Sequence, residues 1–235
     1  MARQARAVWT RQQILDGAAA HFERYGYEGA GLAGIVESIG VTKGALYFHF
    51  SSKEGLAHAL IDEQHRRSIA AVEAVAALDR PALDQVVMLS YAMARQMIDD
   101  PIVRAGIRLT LELSATDGPA GPYLDWITAC RALIGRAVTE GEVRASIDPA
   151  MLARFVVSAY NGVQLVSNVL TGRRDLDHRL DQMWALLLPG IVPADRHGRI
   201  PQICAARCHP PAEPPCAAPV LAPVPPSDES PPHQR

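Results

Sequence analysis

The chain lacks the features that mark membrane-spanning, secreted and disulfide-rich proteins. No apolar run in its 235 residues reaches the roughly 18 residues that a transmembrane helix needs. The N-terminus shows no signal-peptide pattern, and the four cysteines do not form a disulfide framework. We therefore expect a cytoplasmic protein without a membrane partner.

Recognisable catalytic and metal-binding patterns are also missing. Three cysteines and one histidine lie near the C-terminus, but their spacing is not that of a zinc site and no periodic structure surrounds them. They are Cys204, Cys208, His209 and Cys216. No nucleophile, base and acid stand at a motif spacing, and His58 and His65 fall on the polar face of one predicted helix. We predict no catalytic residue, no metal and no cofactor, and an enzyme is the least favoured class.

Positive charge is scarce overall but unevenly distributed. The formal net charge is only −2, so the composition does not by itself indicate a nucleic-acid partner. Residues 1–53 hold six Lys/Arg against four Asp/Glu, a balance of +2, which leaves −4 for the rest. A basic N-terminal part on an acidic remainder suits a protein that binds DNA at one end.

The most informative pattern is a helix-turn-helix in residues 32–54. Leu32, Ile35 and Ile39 lie at helical spacing, and Gly40 follows where a left-handed turn residue is favoured. Thr42 then caps a short second helix, and Ser51 to Glu54 form a capping box that opens a long one. Upstream, a capping-box pattern at Thr10 predicts where the first helix begins. Such a motif places its second helix in the major groove of DNA.

Each polar residue of this motif has a predicted DNA contact. Lys43 is placed to reach a guanine edge, and the amides next to Thr42, including that of Gly44, are placed to hold a phosphate. The remaining side chains suit phosphate oxygens, which fix register without reading sequence. They are Tyr47, His49 and Lys53. Taken singly, Tyr47 and His49 fit equally well as half-buried surface residues, and it is the density of the motif that favours DNA.

The remaining sequence predicts helices throughout. We expect a long helix from Ser51 to about Leu78, two helices before the Gly/Pro-rich loop at 116–122, and three more at 123–140, 150–171 and 175–188. The predicted fold is all-α. An N-terminal three-helix helix-turn-helix head (residues 1–53) is joined by the long helix to a helical ligand-binding and dimerisation body (54–193). Twelve of the eighteen prolines follow Gly190, which predicts a disordered Pro-rich tail over 194–235.

Residues 10–54, and above all the Gly-Ala-Leu-Tyr-Phe-His-Phe run at 44–50, resemble the N-terminal domain of the TetR family. Further segments are similar to its γ-butyrolactone autoregulator receptors from actinomycetes, so that the resemblance covers about residues 1–193. They are residues 1–7, 41–50, 56–59, 93–95 and 104–109, with Trp126 in a Tyr-Leu-Asp-Trp-Ile run. The resemblance implies a homodimeric repressor that leaves operator DNA when it binds a small lactone.

The resemblance also implies a ligand site inside the body, with Trp126 as its anchor. An indole ring can stack on an alkyl lactone while its N–H donates to an oxygen. Asn161 stands where many of these receptors carry threonine, and Gln64 on the long helix is a second polar candidate. Met93 and Val163 complete the predicted ligand-binding set.

Two readings of the ligand remain open. The first is a γ-butyrolactone-type receptor that controls antibiotic production or morphological differentiation. The second is a pseudo-receptor on the same scaffold, which answers to an antibiotic or a biosynthetic intermediate. Trp126 favours the first, whereas Asn161 and Val163 leave room for the second.

Overall fold

The computed structural model describes residues 2–114 and 121–207 of the chain, and within them every regular element is helical. The helices are α1 (Ala2–Gly29), α2 (Leu32–Ile39), α3 (Lys43–His49), α4 (Lys53–Ala76), α5 (Ala82–Asp99), α6 (Pro101–Leu113), α7 (Gly121–Thr139), α8 (Pro149–Thr171), α9 (Leu176–Ile191) and α10 (Ile200–Cys204), with a 3-10 helix at Ala194–Arg199. The all-α prediction is confirmed.

The head forms around two helix ends that the sequence predicts. Gly40 ends α2 in the left-handed conformation (φ 67°), and Thr42 begins α3 by accepting a hydrogen bond from Ala45 N at 3.1 Å. The cap of α4 is Ser52, one residue later than the predicted capping box, and it accepts from Gly55 N at 3.0 Å. These caps satisfy amides that the first turn of a helix leaves without a partner.

The first helix begins earlier than predicted. It runs from Ala2, and Thr10 lies inside it, where its hydroxyl donates to the Arg6 carbonyl at 3.0 Å instead of capping an N-terminus. A threonine hydroxyl meets the carbonyl four residues before it in a continuing helix. The pattern at Thr10 is therefore compatible with a helix interior, and the prediction of a helix start there is wrong.

The head core extends beyond the first three helices. Buried side chains of α1, α2 and α3 pack with Leu56, Leu60 and Ile61 of α4, and with Ile102 and Leu109 of α6. Polar contacts strengthen the α1–α6 junction, since Arg104 Nε lies 2.6 Å from Glu23 Oε1 and Tyr27 N donates to Glu112 Oε2 at 2.5 Å. Two helices of the predicted body thus complete the head.

The closest approach of α4 and α6 depends on Gly106. A Cβ atom at this position would stand 2.4 Å from Gln64 Cβ and 3.2 Å from the Leu60 carbonyl oxygen. We expect Gly106→Ala to lower the free energy of unfolding by about 1–3 kcal/mol, because the two helices must move apart. Thermal or denaturant unfolding measures this change.

Gly135 in α7 is the matched control for that substitution. A Cβ atom there meets nothing within 4 Å. Gly135→Ala is expected to raise stability by up to about 1 kcal/mol through helix propensity alone. If both alanine variants unfold like the wild type, the close crossing of α4 and α6 does not require glycine at position 106.

The body is a bundle of α5, α7, α8 and α9 around a second core. Trp184 is fully buried there, and its indole N–H donates to Ser90 Oγ at 2.9 Å. Tyr91 is also buried and donates to Asp181 Oδ1 at 2.5 Å. These two bonds tie α5 to α9 and satisfy polar atoms that burial otherwise leaves without partners.

The segment 194–207 packs on the body, which corrects the prediction of a tail that is disordered from residue 194. Ile203 is buried in the body core, and Arg199 lies 2.8 Å from Glu142 Oε1. Arg207 pairs with Asp181 and covers the ring of Tyr91 at 4.1 Å from its centroid. Apolar burial and paired arginines outweigh the ordering entropy here. Residues 208–235 lie outside the described part of the chain.

Candidate DNA-binding surface and ligand cavity

The short helix α3 presents its polar residues on one exposed face. Leu46 is its fully buried anchor, while Lys43, Gly44 and Tyr47 are exposed beside the cap residue Thr42. Lys43 Nζ lies 5.9 Å above the centre of the Tyr47 ring, four residues along the helix. One helix face therefore carries a free ammonium group, a phenol and the N-terminal amides.

Two residues of the motif are less simple than the sequence suggests. His49 is half-buried and packs edge-on to Phe48, with 5.0 Å between the ring centres. Phe48 itself is 80% exposed, although the sequence pattern drew no attention to it. An exposed aromatic ring on a recognition helix can contact a thymine methyl group.

Lys53 is held within the head. Its Nζ donates to the Tyr27 carbonyl at 2.9 Å and lies 4.4 Å from the centre of the Tyr27 ring. An ammonium group has three donors, so one contact to the protein leaves others for a phosphate. Lys53 thus ties the start of α4 to the end of α1 beside the predicted DNA surface.

The body contains an apolar cavity between α4, α5, α7 and α8. The space in it that water-sized groups can fill is about 60 Å³, and the cavity is partly open to solvent. Its lining residues are Val72, Val86, Leu89, Ser90, Met93, Trp126, Ala129, Cys130, Val156, Val157 and Tyr160. A mostly apolar wall with few polar groups is typical of small-molecule pockets.

Two hydrogen-bond donors of this cavity have no partner among the residues that the structure describes. Trp126 Nε1 and Tyr160 Oη are buried and unpaired. Burial raises the pKa of Tyr160, so its hydroxyl stays protonated at neutral pH. Because an unpaired buried donor is costly, a ligand oxygen that accepts from either group gains a strong interaction.

Only part of the predicted ligand-binding set lines the cavity. Trp126 and Met93 do, but Gln64, Asn161 and Val163 do not. The Gln64 amide donates to Ser68 Oγ at 3.0 Å, and Asn161 accepts from Tyr123 Oη at 3.3 Å. Successive residues of a helix point about 100° apart, so Asn161 faces away from the wall that Tyr160 forms.

The helical phase of α8 contains the signal that identifies Tyr160. Val156, Val157 and Tyr160 recur at helical spacing and share the cavity wall. Following this apolar face along α8 leads to Tyr160, the residue before the Asn161 that family resemblance suggests. Ser90 is the second polar residue that the sequence did not indicate.

Besides Val72, which lines the cavity, a polar contact connects the cavity wall with the long helix α4. His65 Nε2 of α4 lies 3.0 Å from Asp125 Oδ2, and Asp125 precedes Trp126 in α7. His65 Nδ1 is buried and has no hydrogen-bond partner within the described part of the chain. Asp125 therefore links the part of the cavity wall that Trp126 forms to α4, the helix that begins in the head.

Neither the cavity thiol nor the described cysteines and acids suggest a metal site. Burial raises the pKa of Cys130 to about 12, so the thiol is not ionised near neutral pH. Within the described ranges, no group of three or more His, Cys, Asp and Glu residues is arranged to hold a metal ion. Cys208, His209 and Cys216, at which the sequence predicts no metal site, lie outside these ranges.

The helices α8 and α9 expose an apolar face to solvent. Val169 is 74% exposed and Leu186 is 84% exposed. The other large apolar residues that α8 exposes are Met151, Phe155, Leu165, Val166 and Leu170. An apolar surface of this extent is typical of a protein–protein interface. Nowhere in residues 2–114 and 121–207 is a helix long and apolar enough to cross a membrane.

Comparison with known proteins agrees with this architecture. Residues 14–60 match the family of bacterial regulatory proteins of the tetR type, and residues 80–193 match the tetracyclin repressor-like C-terminal domain. The A-factor receptor protein of Streptomyces griseus is 40% identical over 192 residues, which are 82% of this chain and 67% of that protein.

Solved structures give the same result. CprB, a TetR family protein of Streptomyces coelicolor determined in complex with its operator sequence, is 34% identical with a TM-score of 0.73, covering 85% of this chain and 96% of its own. An ArpA-like γ-butyrolactone receptor is 32% identical with a TM-score of 0.71, covering 86% and 96%. The chain therefore belongs to the TetR family of bacterial transcription regulators, which are not enzymes, and it resembles the A-factor and γ-butyrolactone receptors within that family.

Proposed function

We propose that this regulator represses transcription by binding operator DNA as a homodimer and that a small lactone releases it. The genes under its control are those of antibiotic production or morphological differentiation. The observation that supports ligand binding is the apolar cavity, with the unpaired donors of Trp126 and Tyr160 in its wall. An alkyl lactone matches it, because the chain fills the apolar space and the oxygens accept from the two donors.

The DNA half rests on the exposed face of α3. Lys43 reads a guanine edge, the amides at Thr42 and Gly44 hold a phosphate, and the aromatic residues of the motif add further phosphate contacts. Its relative CprB was solved on its operator with the same fold. In a dimer the two recognition helices must match half-sites that are about 34 Å, one helical turn, apart or a multiple of this distance.

Release follows if the ligand prefers a body conformation in which this spacing is wrong. The His65–Asp125 contact and the α4–α6 crossing link the cavity wall to the head. A ligand shifts the equilibrium only by its differential affinity for the two conformations. Repacking around Trp126 supplies such a difference.

The dimer forms, in this proposal, through the exposed apolar face of α8 and α9. We expect Val169→Asp combined with Leu186→Asp to convert the protein to a monomer, because two buried charges without partners oppose association. Sedimentation velocity measures the change, and operator affinity falls with it. Leu78→Asp, at an exposed apolar position after α4, is the matched control and stays dimeric.

Gel-shift titration with the DNA upstream of the protein's own gene tests the function. We expect a specific protein–DNA complex that dissociates when a synthetic γ-butyrolactone is added. If no lactone dissociates the complex but an antibiotic or biosynthetic intermediate does, the protein is a pseudo-receptor instead. Absence of any complex, with the protein folded and dimeric, contradicts this operator assignment.

A further inference from the structure

Arg173 stands out among the described residues by its backbone. It is the one non-glycine residue among them with a positive φ, 67°, directly after the Gly172 that ends α8. Its amide donates to the Ser167 carbonyl at 3.2 Å, which closes the end of the helix. Glycine or asparagine adopts this conformation more readily than arginine, so the turn alone gives no reason for an arginine here.

The side chain of Arg173 is half-buried and has no counter-ion. Its Nε is buried without a hydrogen-bond partner, and no carboxylate of the described residues forms an ion pair with it. Glu23, the acid whose charge acts on Arg173, is already paired with Arg104 at 2.6 Å. Burial, followed by the Arg104 charge, lowers the pKa of Arg173. A half-buried cation beside another cation favours an added anion.

The buried face of α8 connects Arg173 to the ligand cavity. Tyr160 lines the cavity, and its unpaired hydroxyl lies within electrostatic reach of Arg173. One turn further along this face, Gln164 Oε1 is also buried and unpaired. Both side chains are 5% exposed. Three unsatisfied polar groups therefore extend from the apolar cavity toward the end of α8.

We propose that Tyr160, Gln164 and Arg173 form a second, polar compartment of the ligand site that binds a carboxylate. The guanidinium neutralises the carboxylate and the tyrosine hydroxyl donates to one of its oxygens, while the unpaired Gln164 Oε1 accepts from the ligand's hydroxyl group. The ligand class is then an acidic amphiphile, whose alkyl part fills the cavity at Trp126. The inference rests on the proposed function and widens its ligands from neutral lactones to their ring-opened hydroxy acids.

Such a site lies close to the head. The Arg104–Glu23 pair that neighbours Arg173 joins α6 to α1. A carboxylate at Arg173 screens the repulsion between the two arginines and attracts Arg104 away from Glu23. The acidic ligand thus acts on the head–body junction by a route separate from His65 and Asp125.

Isothermal titration of the full chain with a matched pair of probes tests the proposal. The probes are γ-decanolactone and the sodium salt of its ring-opened γ-hydroxy acid, which share one carbon skeleton. We expect the salt to bind the wild type and Arg173→Asn to weaken it about tenfold or more, while the lactone changes less than about twofold. Asparagine is chosen because it tolerates the left-handed backbone.

Two further variants separate the site from its surroundings. Arg174→Asn removes the neighbouring exposed arginine and leaves both affinities unchanged. Tyr160→Phe keeps the ring but removes the hydroxyl. Like Arg173→Asn, it is expected to lower the affinity for the salt.

If the salt does not bind the wild type, or if Arg173→Asn weakens both probes equally, ordered water fills the compartment and the carboxylate site is wrong. Lactone binding and lactone release of DNA then still support the proposed function. Loss of lactone release from operator DNA in the gel shift, with the salt still bound, contradicts the proposed function alone.

Discussion

Lys43→Ala is expected to weaken specific operator binding strongly at physiological salt. The side chain is exposed in the first turn of α3, and its described contact is the ring of Tyr47 at 5.9 Å. A good side-chain contact to a guanine edge contributes about 1–3 kcal/mol, and a dimer makes it twice. The loss amounts to roughly thirtyfold to more than ten-thousandfold in affinity, measured by fluorescence anisotropy with labelled operator.

Controls separate base reading from general charge. Arg131→Ala removes one positive charge from an exposed position on α7 and leaves operator affinity almost unchanged. Tyr47→Phe removes a predicted phosphate contact, so it weakens specific and non-specific DNA to a similar degree. If Lys43→Ala also lowers both equally, Lys43 contacts phosphate and the guanine assignment is wrong.

Trp126→Ala is expected to make the regulator unresponsive to its ligand while operator binding persists. Removal of a buried aromatic anchor from a binding site costs about 2–4 kcal/mol, so ligand affinity falls roughly thirtyfold to a thousandfold. Trp126 is 8% exposed and lies between the cavity and Tyr123, whose ring centre is 5.6 Å away. The measurement is the ligand concentration at which half of the protein–operator complex has dissociated.

A second variant protects this result against misfolding. Trp126→Phe retains an aromatic ring but lacks the unpaired N–H, and we expect about a fivefold loss of ligand affinity. Trp9→Ala, at a largely exposed tryptophan of α1, leaves ligand affinity as it was. If the ligand still releases both Trp126 variants from the operator at wild-type concentrations, the cavity is not the ligand site.

The helix-turn-helix was predictable because local chemistry determines it. Gly40 occupies a left-handed turn, and Thr42 caps α3 through its own hydroxyl, so the type and bounds of α2 and α3 follow from neighbouring residues. Gly172 ends α8 for the same reason. Where one residue decides the local backbone, the sequence is sufficient.

The cavity was harder to predict because its shape depends on four helices. Trp126 and Met93 were found, but Gln64 and Asn161 satisfy their amides elsewhere, with Ser68 and Tyr123. No local pattern reveals such pairings, which depend on packing between distant segments. The unpaired state of Tyr160 is likewise a property of the folded bundle.

The segment 194–207 shows how composition misleads near a boundary. Prolines crowd the chain after Gly190, yet Arg199 and Arg207 find acids on the body, and Ile203 finds its core. Those partners are distant in sequence, so a composition argument cannot see them. The same holds for α6, whose Ile102 and Leu109 pack into the head core.

The shared core at α4 and α6 bears on how this protein can be recombined. A DNA reader cut at residue 53 loses Leu56, Leu60 and Ile61, and also the side chains that α6 contributes at Ile102 and Leu109. Grafting residues 1–53 onto another receptor would expose that apolar surface and remove the Arg104–Glu23 pair. A functional chimera must therefore take α4 and α6 along with the reader, which makes the head a discontinuous module rather than an N-terminal cassette.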